Sequence, residues 1–449
     1  MSITAEKAGI PSVVIAVKDF LFSCKATGKA AGLPDIRVAV YPGAIAIHPL
    51  EEVEKNIREV VFPQVIKLLT EPVAKAEASA PDAAANENGV VFEGSFEEVN
   101  DYFHARQWTD GLPVVPPTEE KVAPFLKYTD RSPGEVLGFL HPSLRPATVQ
   151  SIAINGVMAG CCPEYMPILV AIIEAIAAPR FRLEDAGSSA GWAPLIILNG
   201  PVIKRLGFNA GTGVLRVGNQ ANTSVGRFLR LYMRNVAGFI PGVGDMATFG
   251  RPNLPVLAED EDANPWEPLS VTRGFKPGES VVTLNSVGFM SFQLTVVAQT
   301  PGGLLKNIAA KVKQILLGGD GSVITKGPEV SHLLALSPVI ARTLASGGYS
   351  KRDVQQYIFK HSKVPATVFD SWLAFQGVAN ACDCVRKGLL PAHFCESDDP
   401  QRMLPLFHAP EELQIIVAGT AERNRFFVAQ QVGRQGLATS RKINLALSA

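Results

Sequence analysis

Thiol, carboxylate and phenol side chains meet at one predicted helix junction of this 449-residue chain. In the stretch NGVMAGCCPEY (155–165), a helix rich in small residues ends at two cysteines, and a proline turns the chain into the next helix. A thiol becomes a useful nucleophile when a helix terminus or a cation stabilises its thiolate. We therefore predict Cys161 as nucleophile or redox thiol, Glu164 as its proton partner and Asn155 as a further catalytic residue. The alternative is that Cys161 is an apolar core residue at a close helix–helix contact.

A glycine-rich loop followed by an arginine-bearing helix forms a candidate anion site. The segment GTGVLRVGNQANTSVGRFLR (211–230) leads into a helix that we predict to be capped by Asn222 or Thr223. Free amide groups at a helix start, with arginines on the following turns, can bind a carboxylate or phosphate. The glycine spacing does not match a dinucleotide-binding fingerprint, and a loop with a solvated arginine face is the alternative. The substrate-binding candidates here are Gly218, Asn219, Asn222, Thr223, Arg227 and Arg230.

Three further places offer candidate residues. Asp110 stands in the rigid stretch WTDGLPVVPP (108–117), where it either binds substrate or only caps a turn. Trp266 and Glu267 lie between two prolines in NPWEP (264–268), which fits a pocket wall or a surface loop. His332 is predicted at a helix start and is a candidate acid–base residue, although a lone histidine is often structural.

These segments can act together only if the helix ends that carry them converge. We expect Cys161, Glu164, Asn222, Arg227 and Trp266 to line one pocket, because catalytic groups from distant parts of a chain meet at loops on a rigid scaffold. The alternative places Cys161 inside a helical hairpin, away from the arginines.

The six cysteines are too few for a disulfide scaffold, and we expect them to be reduced thiols in a cytoplasmic protein. Cys382-x-Cys384 with His393-x-Cys395 contains zinc-ligand types, but the spacing departs from the usual zinc motif. We predict no metal site, and the sequence identifies no cofactor.

Composition restricts the class of protein. Lys and Arg total 42 and Asp and Glu total 42, so the net charge is zero, which argues against a nucleic-acid partner. The longest apolar run, 166–178, is interrupted by Glu174, so no membrane span is predicted. The 47% hydrophobic content indicates a large core.

The chain divides into three parts. Residues 1–72 alternate strand and helix (strands at 11–17 and 37–41, helices at 20–31 and 50–69), which predicts parallel pairing in a partial doubly wound sheet. Residues 73–88 have no apolar periodicity and predict a linker. Residues 89–449 predict one large mixed α/β domain, with a helical hairpin over 147–177, a helix over 329–345, and strands at 194–198, 280–284, 293–298, 323–325 and 414–418.

Several of these stretches together resemble the UGSC family of selenoproteins and their cysteine-containing relatives. The resemblance rests on WTDGLPVVPPT, ATVQSIAINGVMAGCCPEYMP, GNQANTSVGRFLRLYMRNV, GDMATFGRPNLP and EDEDANPWEPLSVTRGF, and on GLPDIRVAVYPGAIAIHPLEEV near the N-terminus. The family is named for a selenocysteine- (or cysteine-) Gly-Ser-Cys motif, which implies thiol or selenol redox chemistry. The motif itself is absent from this sequence. We expect either that a separate subunit carries it or that a selenocysteine codon was read as a stop upstream of Met1.

The resemblance and the residues together predict an oxidoreductase-like enzyme, or a subunit of one, acting on a small anionic organic substrate. The alternatives are a metal-dependent lyase or hydrolase with Cys161, Glu164 and His332 as ligands, and a non-catalytic partner of a motif-bearing subunit. Either a homo-oligomer or a hetero-oligomer with that subunit is expected.

Overall fold

An N-terminal α/β segment precedes a larger body that is built around two packed sheets. The computed structural model describes residues 2–71, 89–186, 191–251, 255–318, 330–375, 380–431 and 436–445. The linker predicted at 73–88 and the strand predicted at 323–325 lie outside these residues.

The strands are β1 Val14–Val17, β2 Val38–Tyr41, β3 Val136–Leu140, β4 Arg145–Thr148, β5 Ala193–Asn199, β6 Leu257–Ala258, β7 Val281–Val287, β8 Phe289–Met290, β9 Leu294–Thr295, β10 His332–Leu336, β11 Lys363–Pro365, β12 Met403–Pro405, β13 Leu413–Val417, β14 Arg425–Gln430 and β15 Thr439–Lys442. The α-helices are α1 Ser2–Lys7, α2 Leu21–Ala30, α3 Leu50–Asn56, α4 Phe62–Thr70, α5 Phe96–Ala105, α6 Glu119–Leu126, α7 Val149–Ala159, α8 Met166–Ile176, α9 Val202–Arg205, α10 Gln220–Tyr232, α11 Leu269–Thr272, α12 Pro301–Gly318, α13 Pro338–Ser346, α14 Lys351–His361, α15 Ala366–Phe375 and α16 Ala381–Arg386.

The N-terminal segment is a two-stranded parallel sheet with helices beside it. β1 and β2 pair in parallel, with Val14 opposite Val38, as the alternation of strand and helix predicts. The long helix predicted over 50–69 is a continuous helical stretch, in which a π-helical turn at Ile57–Val61 joins α3 to α4.

The first sheet of the main body has the order β15-β7-β5-β6 and is covered on its outer face by helices α7, α8 and α10. Side chains alternate along β5, as expected for a strand buried on both faces. Ile196 and Leu198 pack against those helices, whereas Leu195 and Ile197 face the second sheet.

The second sheet has the order β13-β10-β14-β8, with β9 pairing to β14. Along β10, Leu334 and Leu336 pack against a helical layer formed by α12 to α16, whereas Leu333 and Ala335 face the first sheet. The body is therefore layered as helix, sheet, sheet and helix, with a third apolar cluster between the sheets. The α/β class predicted from the sequence is confirmed.

The helix predicted over 329–345 is wrong at its start. His332 begins strand β10, and the helix α13 starts only at Pro338. The five residues HLLAL are all buried, and a short apolar run of this kind is read equally well as a buried helix or strand. Within the described ranges, no helix is long and apolar enough to cross a membrane.

Candidate functional site

Cys161 lies in the turn that ends α7. Gly160 adopts a left-handed conformation (φ 79°), and the Cys161 amide donates to the carbonyl of Gly156 at 3.0 Å. This pattern is a Schellman motif, which requires a residue with positive φ and therefore favours glycine. Cys162 then precedes the 3-10 turn Pro163–Tyr165 that begins the second helix of the hairpin. Both thiols are half-buried against the apolar cluster between the first sheet and helices α7, α8 and α10.

The helix α10 crosses this turn and begins at a different cap from the one predicted. Asn219 is the N-cap, since its Oδ1 accepts from the Asn222 amide at 3.1 Å. Capping by Asn222 or Thr223 is therefore wrong. The Thr223 hydroxyl instead accepts from the Gly218 amide at 3.2 Å, which fixes the loop against the first turn of the helix.

Asn222 is fully buried, and its amide joins two loops of the protein. Its Nδ2 donates to the carbonyls of Asn209 (2.9 Å) and Val256 (2.7 Å), and its Oδ1 accepts from the Asn209 amide at 2.8 Å. These three bonds use the polar atoms of the Asn222 side chain within the protein, so Asn222 has a structural role.

The thiol of Cys161 faces α10 at Ser224 and Arg227. Burial raises its pKa to about 12, although Ser224 and the charge of Arg227 act in the opposite direction. The Ser224 hydroxyl is buried without another hydrogen-bond partner among the described residues, which leaves it available to this sulfur. The cysteine turn and α10 therefore lie together, without Trp266, and the thiol is protonated at neutral pH.

Arg227 and Asp110, both predicted to bind substrate, pair with each other. Arg227 Nε and Nη2 each donate to one Asp110 oxygen at 2.8 Å, and Nη2 also donates to the carbonyl of Pro113 at 2.8 Å. Burial raises the pKa of Asp110, but the bonds from Arg227 outweigh it and the net pKa is lowered. This bidentate pair fixes the proline-rich stretch 110–117 beside α10. One turn further on, Arg230 lies 3.9 Å from Asp245.

Glu164 and Asn155 occupy different surroundings from those predicted. Glu164 is exposed on the 3-10 turn, and the groups that shift the pKa of Cys161 are Ser224, Cys162 and Arg227. Asn155 is buried, with its Nδ2 donating to the Ser151 carbonyl and its Oδ1 accepting from Asn235 at 2.9 Å. Asn155 therefore joins α7 to the end of α10.

The remaining candidates belong to the second half of the body. Trp266 packs against the apolar cluster between the second sheet and helices α12 to α16, and its Nε1 donates to the Tyr349 carbonyl at 3.0 Å. The carbonyl of Glu267 accepts from the buried Lys351 at 2.7 Å. His332 is buried beside Phe407, so it is not part of the Cys161 cluster.

A buried charged group, missed from the sequence, lies beside Trp266. Glu259 is 1% exposed and accepts from Asn199 (2.7 Å), Asn264 (2.8 Å) and the Leu269 amide (2.9 Å). Burial raises the pKa of Glu259 and lowers that of Lys351, while each charge partly offsets the shift of the other. The acidic run at 259–262 was the only signal for it in the sequence.

Cys382 and Cys395 form a disulfide, with their Cα atoms 4.9 Å apart, which corrects the expectation of six reduced thiols. The sulfurs of these two residues and a carboxylate oxygen of Asp398 are the only set of possible metal ligands that cluster among the described residues. Cys161, Glu164 and His332, the ligands of the metal-dependent alternative, form no such set there.

The comparisons with known proteins identify the N-terminal segment. The model of the UGSC family matches residues 2–71. Residues 2–71, called the UGSC segment below, are similar to this family. This match covers the segment with the parallel β1–β2 pair and leaves the two-sheet body outside it. Curated proteins and solved structures give no match to the chain.

Proposed function

We propose that this chain is a thiol-dependent, oxidoreductase-like enzyme, or a subunit of one, that acts on a small anionic organic substrate through Cys161. The observation that carries the proposal is the convergence of the thiol with Ser224 and Arg227 on α10. A hydrogen-bond donor and a cation beside a sulfur are the groups that stabilise a thiolate. The UGSC match covers residues 2–71 and does not include these three residues.

The raised pKa of the Cys161 thiol and the pairing of Arg227 bear on the kind of substrate that could bind here. Burial keeps the Cys161 thiol protonated, and Arg227 shares its charge with Asp110. The guanidinium Nη1 makes no hydrogen bond to a described residue, so an anionic group can bind beside it. Such a substrate would lie next to the sulfur.

An anionic disulfide tests both parts of the proposal. In the exchange, the Cys161 thiolate attacks dithiobis(nitrobenzoate), a Cys161–aryl disulfide forms, the aryl disulfide bond breaks, and the arylthiolate leaves while the proton passes to solvent. We expect slow reaction at neutral pH that accelerates up to about tenfold per pH unit, because the thiolate fraction rises by that factor below the pKa.

The anionic reagent is compared with neutral dithiodipyridine by mass spectrometry of the modified peptides. We expect Arg227→Gln to lower the anionic-to-neutral rate ratio at Cys161 and the matched Arg230→Gln to keep it. An equal ratio in the unmodified protein and in Arg227→Gln would contradict the proposal.

The UGSC segment favours a second candidate, a subunit role. Large apolar side chains are exposed on it, among them Ile47 (80%), Leu50 (73%), Ile15 (59%), Phe62 (58%) and Phe22 (57%). Exposed apolar surface of this extent is typical of interfaces. Analytical ultracentrifugation of the purified chain tests the idea, since a monomer at micromolar concentration would oppose self-association through this face.

A further inference from the structure

A basic groove of about 760 Å³ lies between the UGSC segment and the first helical layer. One wall comes from α2, and the other comes from the end of α5, the turn before β4 and the segment that follows α10. Its lining includes four cations, Lys29, Arg106, Arg145 and Arg234, and no carboxylate among the described lining residues. This site goes beyond the thiol chemistry and is independent of it.

Two carboxylates near this groove are already paired. Asp110 binds Arg227 and Asp245 lies near Arg230. Arg234, which follows these turns of α10, makes no ion pair in the described chain, and its Nε donates to the carbonyl of Gln107 at 2.6 Å. Burial and the like charge of Arg230 lower the pKa of Arg234, and the charge of Asp110 offsets part of this shift. An anion in the groove would relieve this repulsion.

Arg145 and Arg106 each contact the protein and keep further N–H donors for a ligand. Arg145 Nη1 donates to the Asn235 carbonyl at 3.1 Å, and the guanidinium of Arg106 lies 3.6 Å from the ring centroid of Tyr102. Neither forms an ion pair with a described carboxylate, and each guanidinium has five N–H donors. Arg106 and Arg145 are exposed, and together with Arg234 they give the groove three guanidinium groups, which can hold more than one negative charge.

The wall of the groove also has a neutral part. Trp108 contributes aromatic surface, whereas the faces of the Tyr102 ring are covered by Phe92 and by the guanidinium of Arg106. Asn235 has a buried Oδ1 without a partner among the described residues. The backbone of the wall opposite α2 adopts left-handed conformations at two non-glycine residues, Gln107 (φ 60°) and Leu144 (φ 54°). Such strain recurs where a site is held in a fixed shape. The volume suits an organic molecule and exceeds what an inorganic anion needs.

We propose that this groove binds a multiply anionic organic molecule with a planar ring, of the size of a nucleotide. The charged groups of the ligand would lie among Arg106, Arg145 and Arg234, and its ring would pack on Trp108. Because α2 forms one wall, the bound ligand would also join the UGSC segment to the main body.

The site is distinct from the Cys161 cluster. Arg227 and Arg234 are seven residues apart on one helical stretch, which corresponds to about 10 Å along its axis. The thiol faces the earlier position and the groove contains the later one. Binding in the groove can therefore be measured without any assay of thiol chemistry.

Calorimetric titration of the full chain with ADP, adenosine and pyrophosphate tests the proposal. We expect ADP to bind, adenosine to fail and pyrophosphate to bind at least tenfold more weakly than ADP. Arg145→Gln and Arg106→Gln should each weaken ADP binding about tenfold or more, because each removes a charge-assisted contact. Added salt should weaken it further.

The controls separate binding from folding and from the thiol site. Arg352→Gln removes an exposed cation on α14, far along the chain from the groove, and should leave ADP affinity unchanged. Cys161→Ser should also leave it unchanged, and unaltered circular dichroism must accompany each variant. Failure of ADP to bind, equal binding of adenosine, or equal loss in Arg352→Gln would overturn the proposal.

Discussion

His332 places an ionisable ring in an apolar environment. It is 1% exposed, and its Nδ1 has no hydrogen-bond partner among the described residues. Burial, with a smaller effect from His408, lowers its pKa to about 3. The ring is therefore neutral in the folded chain at every pH at which the protein is normally handled.

This lowered pKa makes folding sensitive to acid. Between the unfolded pKa of about 6.5 and the folded value of about 3, the unfolded chain binds a proton that the folded chain does not. The free energy of unfolding therefore decreases as the pH falls through this window, by up to about 1.4 kcal/mol per pH unit from this residue. Above pH 6.5 the residue contributes no pH dependence.

We expect His332→Leu to flatten the dependence of stability on pH between pH 6.5 and pH 5. Urea unfolding at several pH values measures the slope directly. His104→Leu, at an exposed position on α5, is the matched control and should retain the slope of the unmodified protein. An unchanged slope in His332→Leu would show that the proton uptake occurs elsewhere.

At the same scale, the candidate site was only partly predictable. The thiol at Cys161 and the cation at Arg227 were recognisable because their residue types are rare and reactive. Ser224 was not, because its role depends on the rotation of α10 over the turn after α7. The pairing of Arg227 with Asp110 spans 117 residues, and no local pattern in the sequence encodes a contact of that range.

The UGSC segment is an element with a very small core. Ala39, Tyr41 and Val61 are the buried residues of its cluster, with four half-buried neighbours. One side chain covers the free edge of β2. Gln64 Oε1 accepts from the Val40 amide and Gln64 Nε2 donates to the Val40 carbonyl, both at 3.0 Å. A two-stranded sheet with so little buried surface does not offset the conformational entropy of the segment.

We therefore expect an isolated chain of residues 1–75 to lack a cooperative thermal transition. Far-ultraviolet circular dichroism with heating provides the measurement, and the full chain under the same conditions is the control. A sharp transition with a defined midpoint at low protein concentration would contradict this prediction. A transition that appears only at high concentration would show that self-association supplies the missing core.

Element types followed from the sequence where the apolar pattern was long or bounded. The hairpin of α7 and α8 was recognised because a proline separates two helical stretches over 147–177. The strands β10 and β14 were not recognised. In β14, four of the six residues in RFFVAQ are apolar and nearly all are buried, but the strand is too short for its period to separate it from a loop or helix.

The arrangement of the whole body could not be read from the sequence. Each sheet mixes parallel and antiparallel neighbours, and strands far apart in the chain lie side by side, such as β7 and β15. The alternation of buried side chains shows only that a strand has two covered faces. Which element covers each face is decided by packing between distant segments, and the layer between the sheets appears only in three dimensions.

Asn285 introduces a polar group into that inter-sheet layer. It lies on β7 opposite Leu195 and is 1% exposed, and neither its Oδ1 nor its Nδ2 has a hydrogen-bond partner in the part of the chain that the structure describes. An unpartnered buried amide costs about 1–3 kcal/mol. Leucine has a similar volume and needs no partner, so the inter-sheet core should accept it at this position.

We expect Asn285→Leu to raise the free energy of unfolding by about 1–2 kcal/mol, since it removes that cost. Asn222→Leu is the matched control: the same exchange at an equally buried asparagine removes three internal bonds and should lower stability by about 3 kcal/mol or more. Denaturant unfolding of both variants gives the comparison. If the two substitutions destabilised the chain equally, the Asn285 side chain would have to be hydrogen-bonded in solution. Its polar position between the sheets would then link the two halves of the body.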